Sequence, residues 1–283
     1  MTDRLLELRR TVRERAPLIH CITNHITIGD CANAVLAVGA KPIMAEHPAE
    51  TAGITRGADA LALNLGNITD LRMESMGLSA RAARERGIPI VLDLVGVGCS
   101  ALRLDFAGEL VNRFHPDLIK GNLAEVDALA QGRTLARGVD ARAGDLRESP
   151  AKIAAKAQPL AAALSCAVAV TGPVDVISLP GESWAVRGGH PMLGEMTGTG
   201  CMLGVLIAAF SACGPVGEAA LLATALVGAA GELAAEEARG IGTFRAALFD
   251  GLYGLADDAL AARTCIAEIL NDLDYMERIA DNG

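Results

Sequence analysis

Short apolar runs alternate along this chain with longer helix-patterned stretches, and that alternation restricts its fold more than any other feature. Residues 18–21, 41–44, 58–63, 89–92, 117–119 and 167–170 read as buried strands. Between them, 30–38, 69–86, 102–114, 123–130 and 151–164 read as helices, with Gly87 as the stop of the second. Strands joined through helices run parallel, and continuous apolar runs indicate burial on both faces. The pattern therefore predicts an α/β fold with a mainly parallel central sheet and helices on both faces. Residues 174–178 and 183–186 flank Leu179-Pro180-Gly181-Glu182 as a hairpin. Beyond Cys201 the chain reads as almost wholly helical, over 202–212, 216–238, 244–261 and 265–279. Residues 131–150, rich in Arg, Asp and Gly, read as a surface loop. No boundary breaks the alternation, so one domain over residues 1–283 is expected.

Composition narrows the core and the partners. Hydrophobic residues make up 51% of the chain but aromatics only 3%, so the core must be built from Ala, Val, Leu and Ile. A net charge of −9 argues against nucleic acid or an anionic membrane as the main partner. The seven cysteines are odd in number and show no CxxC spacing. The first residues begin a charged amphipathic helix unlike a signal peptide, and no uninterrupted apolar run reaches ~18 residues. These features point to free thiols in a cytoplasmic setting. The five histidines lack HxxH or HExxH spacing, so no structural zinc is expected. The chain has no GxxxxGK[ST], no GxGxxG opening a first βα unit and no GxSxG. P-loop, dinucleotide-binding and α/β-hydrolase readings are thereby unsupported.

Ligands of open parallel sheets sit at the carboxyl ends of strands, and polar residues recur there. Asn24 follows the first strand, Met44 ends the second, and Asn64 and Gly66 close the third. Asp93 ends the fourth, Lys120-Gly121-Asn122 the fifth with Glu125 one helical turn on, and Thr171-Gly172 the sixth. Each has an ordinary explanation: Asn24 as a turn residue, Glu125 as a favourable charge at a helix start, Lys120 as an exposed cation, Met44 as core. Their gathering at one predicted edge favours a site. Asp93 and Glu125 form a carboxylate pair of the kind that holds Mg²⁺ beside ATP phosphates, and Lys120 can neutralise a phosphate. The stretch Thr197-Gly198-Thr199-Gly200-Cys201, running straight into an apolar helix, adds a glycine turn. Its open N–H groups can receive an anion, with Thr199 as the expected cap. Cys201, on the first helical turn, is expected to have its thiolate favoured.

Taken together these segments resemble the hydroxyethylthiazole kinase family of the ribokinase-like superfamily. The matching stretches are Pro17–Asn24, Ala32-Asn33, Gly39–Ala45, Leu63–Gly66, Val91–Gly98, Lys120-Gly121-Asn122 with Glu125, Val170-Thr171-Gly172 with Asp175, Thr197–Cys201, and Gly242-Thr243-Phe244 with Leu248 and Asp250. The resemblance implies ATP- and Mg²⁺-dependent phosphorylation of 4-methyl-5-(2-hydroxyethyl)thiazole in thiamine salvage. It also implies a homotrimer with the thiazole near a subunit boundary. By motif, Met44 and Gly198 would contact the thiazole with Asn24 close by. Lys120, Asn122 and Thr171 would contact ATP, Asp93 and Glu125 would hold Mg²⁺ through waters, and Cys201 would orient or deprotonate the hydroxyl. Three positions depart from the family pattern: Lys120 for a usual Arg, Leu94 for a usual Pro, and Asn67 for a usual Thr. The alternatives are a nucleotide-dependent NAD(P)H-hydrate dehydratase of the same superfamily, or a kinase for another small heterocyclic alcohol.

Overall fold

A computed structural model describes residues 1–134 and 148–269. One nine-stranded sheet runs through it in the order β2-β1-β3-β4-β5-β6-β7-β8-β9. The strands β1 (Leu18–Ile22), β2 (Lys41–Ile43), β3 (Ala60–Asn64), β4 (Ile90–Asp93), β5 (Leu118–Asn122) and β6 (Ala167–Thr171) are parallel. The hairpin β7 (Asp175–Leu179) and β8 (Glu182–Arg187) then adds antiparallel strands, and β9 (Cys265–Glu268) closes that edge.

Side chains alternate along each strand and so feed two separate cores. Ala60, Ala62, Val91, Leu118, Ala167 and Ala169 face one core, while Leu61, Leu63, Ile90, Leu92, Ile119, Val168 and Val170 face the other. The first face is built largely of alanine. That lets two apolar helices, α9 (Thr199–Ser211) and α10 (Val216–Glu237), lie close on the sheet beside α1 (Thr2–Arg15), α2 (Ile28–Ala37), the short α8 (Met192–Glu195), α11 (Ile241–Gly254) and α12 (Asp257–Arg263). The bulkier opposite face packs against α4 (Asp70–Arg86), α5 (Ala101–Phe114), α6 (Leu123–Gln131) and α7 (Pro150–Leu164). Every residue of α9 from Cys201 to Ser211 is buried, which is why this helix shows no polar stripe. Among the described residues α10 alone is long and apolar enough to cross a membrane, and most of its length is buried inside the fold.

Several sequence expectations need correction. The predicted helix over 265–279 begins instead as β9, because Ile266 and Ala267 pair with Val186 and Ala185 of β8; residues 270–279 of that span lie outside the described residues. Edge pairing overrides a weak local preference here. The predicted helix over 244–261 is two helices, α11 and α12. They are separated at Leu255-Ala256, and Asp257 and Asp258 open the second with charge suited to a helix start. Helix α3 (Pro48–Gly57) was not expected from the pattern; Pro48 at its first position and a cap from the His47 ring were its signals. The predicted loop over 131–150 lies mostly outside the described residues, between α6 and α7. Asn67, the residue that departs from a usual Thr, has φ +48°, a conformation that Asn tolerates and a β-branched residue resists.

Phe244 on α11 is fully buried, whereas Leu102 at the start of α5 is largely exposed. Phe244→Ala should destabilise the protein by about 3–5 kcal/mol. Leu102→Ala should stay within about 0.5 kcal/mol of the parent. Urea unfolding of both variants, followed by circular dichroism, checks the contrast.

Candidate active site

Parallel register brings residues far apart in sequence to one edge of the sheet. Asn64 pairs with Asp93, Asp93 with Lys120, and Asn122 with Thr171, each at or beside the carboxyl end of its strand. Asn24 lies two residues past β1 on the same edge. The side chains form one buried chain of hydrogen bonds. Lys120 Nζ lies 3.1 and 3.2 Å from the two oxygens of Asp93. Asn64 Nδ2 donates to Asp93 Oδ2 at 3.0 Å, and Asn64 Oδ1 accepts from Asn24 Nδ2 at 3.2 Å and from the Gly66 amide at 2.9 Å. Asn24 Nδ2 also donates to Cys201 Sγ at 3.1 Å, while Asn24 Oδ1 accepts from the amide and hydroxyl of Thr27. Lys120, Asp93, Asn64 and Asn24 are all at most 4% exposed.

The glycine turn closes over this chain. Gly198, not the expected Thr199, is the N-cap of α9, with φ +100°. A Cβ there would sit 2.5 Å from Thr27 Cγ2, so the position accepts only glycine on two counts. The Thr199 hydroxyl instead donates to the Leu193 carbonyl at 2.8 Å. The first α9 bond runs from the Met202 amide to the Gly198 carbonyl at 2.8 Å. The amides of Thr199, Gly200 and Cys201 therefore have no partner within the helix. A Cβ on Gly200 would lie 3.1 Å from Lys120 Nζ, so the ammonium sits directly under the turn. Open amides, a helix N-terminus and a buried cation converge at one point, which is the chemistry of phosphate binding.

The protonation states follow from burial. Burial pushes Asp93 up, and the Lys120 ammonium is the largest influence holding it down. For Lys120 burial works against the charge, but Asp93, Cys201 and Glu125 together raise it, so it stays a cation. Burial pushes the Cys201 thiol up, and Asp93 adds to this; Lys120 opposes both without winning. The expected thiolate at the start of α9 is thus corrected: Cys201 is held as a thiol, because desolvation and a neighbouring carboxylate outweigh the helix end and the ammonium.

Glu125 is pushed up to about 7, first by burial and then by repulsion from Asp93, against the pull of Lys120 and two amides. Its oxygens accept from the Gly96 amide at 2.8 Å and the Asn122 amide at 2.9 Å, and Asn122 completes a reciprocal capping box at the start of α6. The ordinary role read from the sequence is therefore real, yet it leaves two buried carboxylates close enough to repel. Among the described residues no group of three or more potential metal ligands exists. A cation held by one or two carboxylates, with water and phosphate completing its shell, fits this donor set and would relieve the repulsion.

A cavity of about 630 Å³ opens beside the chain, large enough for a nucleotide. Asn122 and Thr171 line it, as do Thr199 and Gly200. Lys120, Asp93, Asn24 and Gly198 do not line it, but Lys120 adjoins it beneath Gly200. Met44 stands apart, half-buried just past β2 and packed against the alanine-faced core. Its loop meets that of Asn24 where Glu46 Oε1 lies 2.8 Å from His25 Nε2. Sequence reasoning noted Asn64 but gave it no role, although the strand-end logic that found Asp93 applied equally to it. It missed the far wall of the cavity, formed by Gly189, His190, Thr224 and Gly228, and it missed that the buried Thr224 hydroxyl is unpartnered. No local motif marks those residues; the packing of α10 against the segment after β8 brings them there.

A profile of the hydroxyethylthiazole kinase family matches residues 9–258. The chain is 43% identical over 257 residues to hydroxyethylthiazole kinase 2 of Clostridium botulinum strain Langeland, covering 90% of this chain and 97% of that protein. The solved structure of a hydroxyethylthiazole kinase protein from Pyrococcus horikoshii superposes with a TM-score of 0.86 at 34% identity, covering 95% of this chain and all of that one. An ADP/ATP-dependent NAD(P)H-hydrate dehydratase from Bacillus subtilis, crystallised with ATP and Mg²⁺, superposes at 0.56 with 15% identity, over 87% and 95% of the two chains, a likeness of fold alone.

The raised Glu125 pKa has a defined consequence for stability. A carboxyl group whose pKa is higher in the fold than in the unfolded chain favours folding in its protonated form. Its contribution is complete below about 4.5 and is lost as the pH rises through about 7. That span corresponds to on the order of 3 kcal/mol. In chelator, wild type should therefore lose stability relative to Glu125→Gln between pH 5 and pH 8, whatever constant offset the altered cap adds. Thermal melts of both proteins across that range check it; a difference independent of pH would contradict it.

Proposed function

The chain belongs to the hydroxyethylthiazole kinase family, and from that premise we propose that it transfers the terminal phosphoryl group of ATP to the hydroxyl of 4-methyl-5-(2-hydroxyethyl)thiazole, a salvage step of thiamine biosynthesis. The observation that carries this reading is the Lys120 ammonium lying under the open amides of the glycine turn, in contact with Asp93. Phosphoryl transfer asks for positioning and charge stabilisation more than for covalent chemistry, and this arrangement supplies both.

ATP occupies the cavity beside Asn122 and Thr171, with its phosphates toward Lys120 and the amides of Thr199, Gly200 and Cys201. Asp93 and Glu125 are the residues that would hold Mg²⁺. The cation supplies neutralisation of the phosphate oxygens when bound. Lys120, released in part from Asp93, shifts its charge toward the transferred group. As a point charge it serves where the usual Arg would offer a fork. The thiazole lies against Gly198 and Met44 with its hydroxyl directed to Asn24 and Cys201. A neutral thiol fixes the hydroxyl by hydrogen bonding; as the new P–O bond forms, the bond between the γ-phosphorus and the bridging oxygen breaks, ADP departs, and the hydroxyl proton passes late to an oxygen of the transferred phosphoryl group.

The alternatives are weaker. The dehydratase shares the fold only, and nothing in the site favours a different heterocyclic alcohol. Exposed Ile26, Leu36, Ile241 and Tyr253 lie on or beside α2 and α11, which are joined by an Arg245–Asp30 ion pair, and support assembly as a homotrimer along that side. Free cysteines throughout support a cytoplasmic enzyme, and the single sheet supports one catalytic domain. Coupled ADP release with the thiazole alcohol, and none with hydrated NADH, is expected from a preparation that sediments at three times the chain mass. Turnover of the hydrate alone would overturn the kinase reading.

Cys201 variants separate orientation from base catalysis. A general base contributes about 10²–10⁴-fold. Because the thiol is neutral, Cys201→Ser should lower kcat by less than about tenfold and leave the pH profile unchanged, and Cys201→Asp should keep or raise kcat. A loss of a hundredfold or more in the serine variant, with a lost acidic limb, would show that the thiolate is the base after all.

A further inference from the structure

We infer that Arg72 is a positioning residue for the alcohol side of the site, holding the loops after β1, β2 and β3 in register with one another. This rests on the proposed placement of the alcohol at Asn24 and Met44. Arg72 lies in the first turn of α4 and is completely buried. Its Nη1 donates to the carbonyls of Gly66 at 2.9 Å and Asn67 at 2.6 Å, and its Nη2 donates to the Thr23 carbonyl. Its Nε lies 3.2 Å from Glu46 Oε2. One guanidinium thus meets three loops: Thr23 precedes Asn24, Glu46 is two residues past Met44, and Gly66 donates its amide to Asn64.

The surrounding bonds make this fork the hub of a small frame. The other Glu46 oxygen, Oε1, meets His25 Nε2 at 2.8 Å, next to Asn24. Ser75, on the same helix as Arg72, donates to the Glu46 carbonyl at 2.6 Å. The left-handed backbone at Asn67 belongs to the same device, because the carbonyl of that residue is one of the fork's acceptors. The accepting carbonyls lie just past strand ends, where no ladder supplies them with donors, and those of the buried Thr23 and Gly66 need one. An apolar side chain would be cheaper to bury here. What the guanidinium adds is a rigid, planar group that hydrogen-bonds the loops after β1 and β3 while pairing its charge with Glu46 after β2, which a lysine cannot reproduce. None of its hydrogen-bond or ion-pair partners lines the nucleotide cavity.

The two halves of the site should therefore respond differently to loss of the fork. In Arg72→Gln the KM for the thiazole alcohol should rise at least tenfold, while the KM for ATP and the Kd for ADP by calorimetry stay within twofold. Arg72→Lys and Glu46→Gln should show smaller rises of the same kind. A merely structural role would lower the melting temperature and leave both KM values unchanged, and that result overturns the inference, as does a parallel rise in both. Should Arg72→Gln fail to fold, Arg72→Lys and Glu46→Gln decide by the same split. Alkylation of Cys201 by iodoacetamide, read by peptide mass spectrometry, reports on the frame without any substrate, since Asn24 bonds to that sulfur. It should quicken in the variants while Cys166, buried just before β6, is unaffected. If wild type fails to turn over the alcohol, the proposed function falls, and Cys201 labelling still decides the role of Arg72: unchanged labelling overturns it.

Discussion

The Lys120 ammonium and the Asp93 carboxylate meet 3.1 Å apart with almost no access to water, and the rest of the site is arranged around that pair. Neither charge could be buried alone, since an unpaired ion at such a position costs several kcal/mol. Together they are tolerable, and each is left with unused capacity. Asp93 takes a further bond from Asn64, and Lys120 lies within reach of the amides of the glycine turn. On the proposed reading, an incoming phosphate would meet a cation whose charge is already desolvated and whose counter-charge a metal would share. That is preorganisation: the cost of assembling the charges is met by folding rather than at each turnover.

The pair depends in turn on the sheet. Parallel register sets Asp93 beside Lys120 and Asn64 beside Asp93, so the hydrogen-bond chain follows from strand alignment rather than from loop conformation. The alanine-faced side of the same sheet lets α9 lie close enough for its first turn to reach Lys120. Gly204, one turn into α9, brings the helix so near that a Cβ there would stand 3.3 Å from Asp93 Oδ2. The near absence of aromatics is thus part of the site's geometry: bulkier residues on that face would lift the helix and its amides away from the ion pair.

Glu125 and Cys201 show how one environment gives two residues opposite tasks from those their types suggest. Glu125 would ordinarily be ionised at neutral pH, yet burial beside Asp93 brings it to about 7, so its charge is easily relieved by a cation or a proton. Cys201 would ordinarily gain acidity at a helix start, yet the same burial and the same Asp93 keep it a thiol. Both effects trace to packing density around one carboxylate, and neither can be assigned from residue type and position in a helix alone.

The order of β1–β8 and of most helices, the parallel sheet, the glycine turn and the family were legible in the sequence, because periodicity and turn chemistry are local. So were Asp93, Lys120, Asn122, Thr171 and Cys201 as candidates, because each stands at a strand end or a helix start, where side chains of an α/β sheet meet ligands. Tertiary structure alone decided which of these touch. Register joins Asn64, Asp93 and Lys120, Gly198 turns against Thr27, and Arg72 ties together loops that are remote in sequence. It also turned residues 265–268 into an edge strand and built the far wall of the cavity from α10 and the segment after β8. The division has one physical cause. A backbone preference acts over a few residues and is written in them, whereas a buried charge, a close helix approach or a strand edge takes its energy from neighbours that only the folded chain supplies.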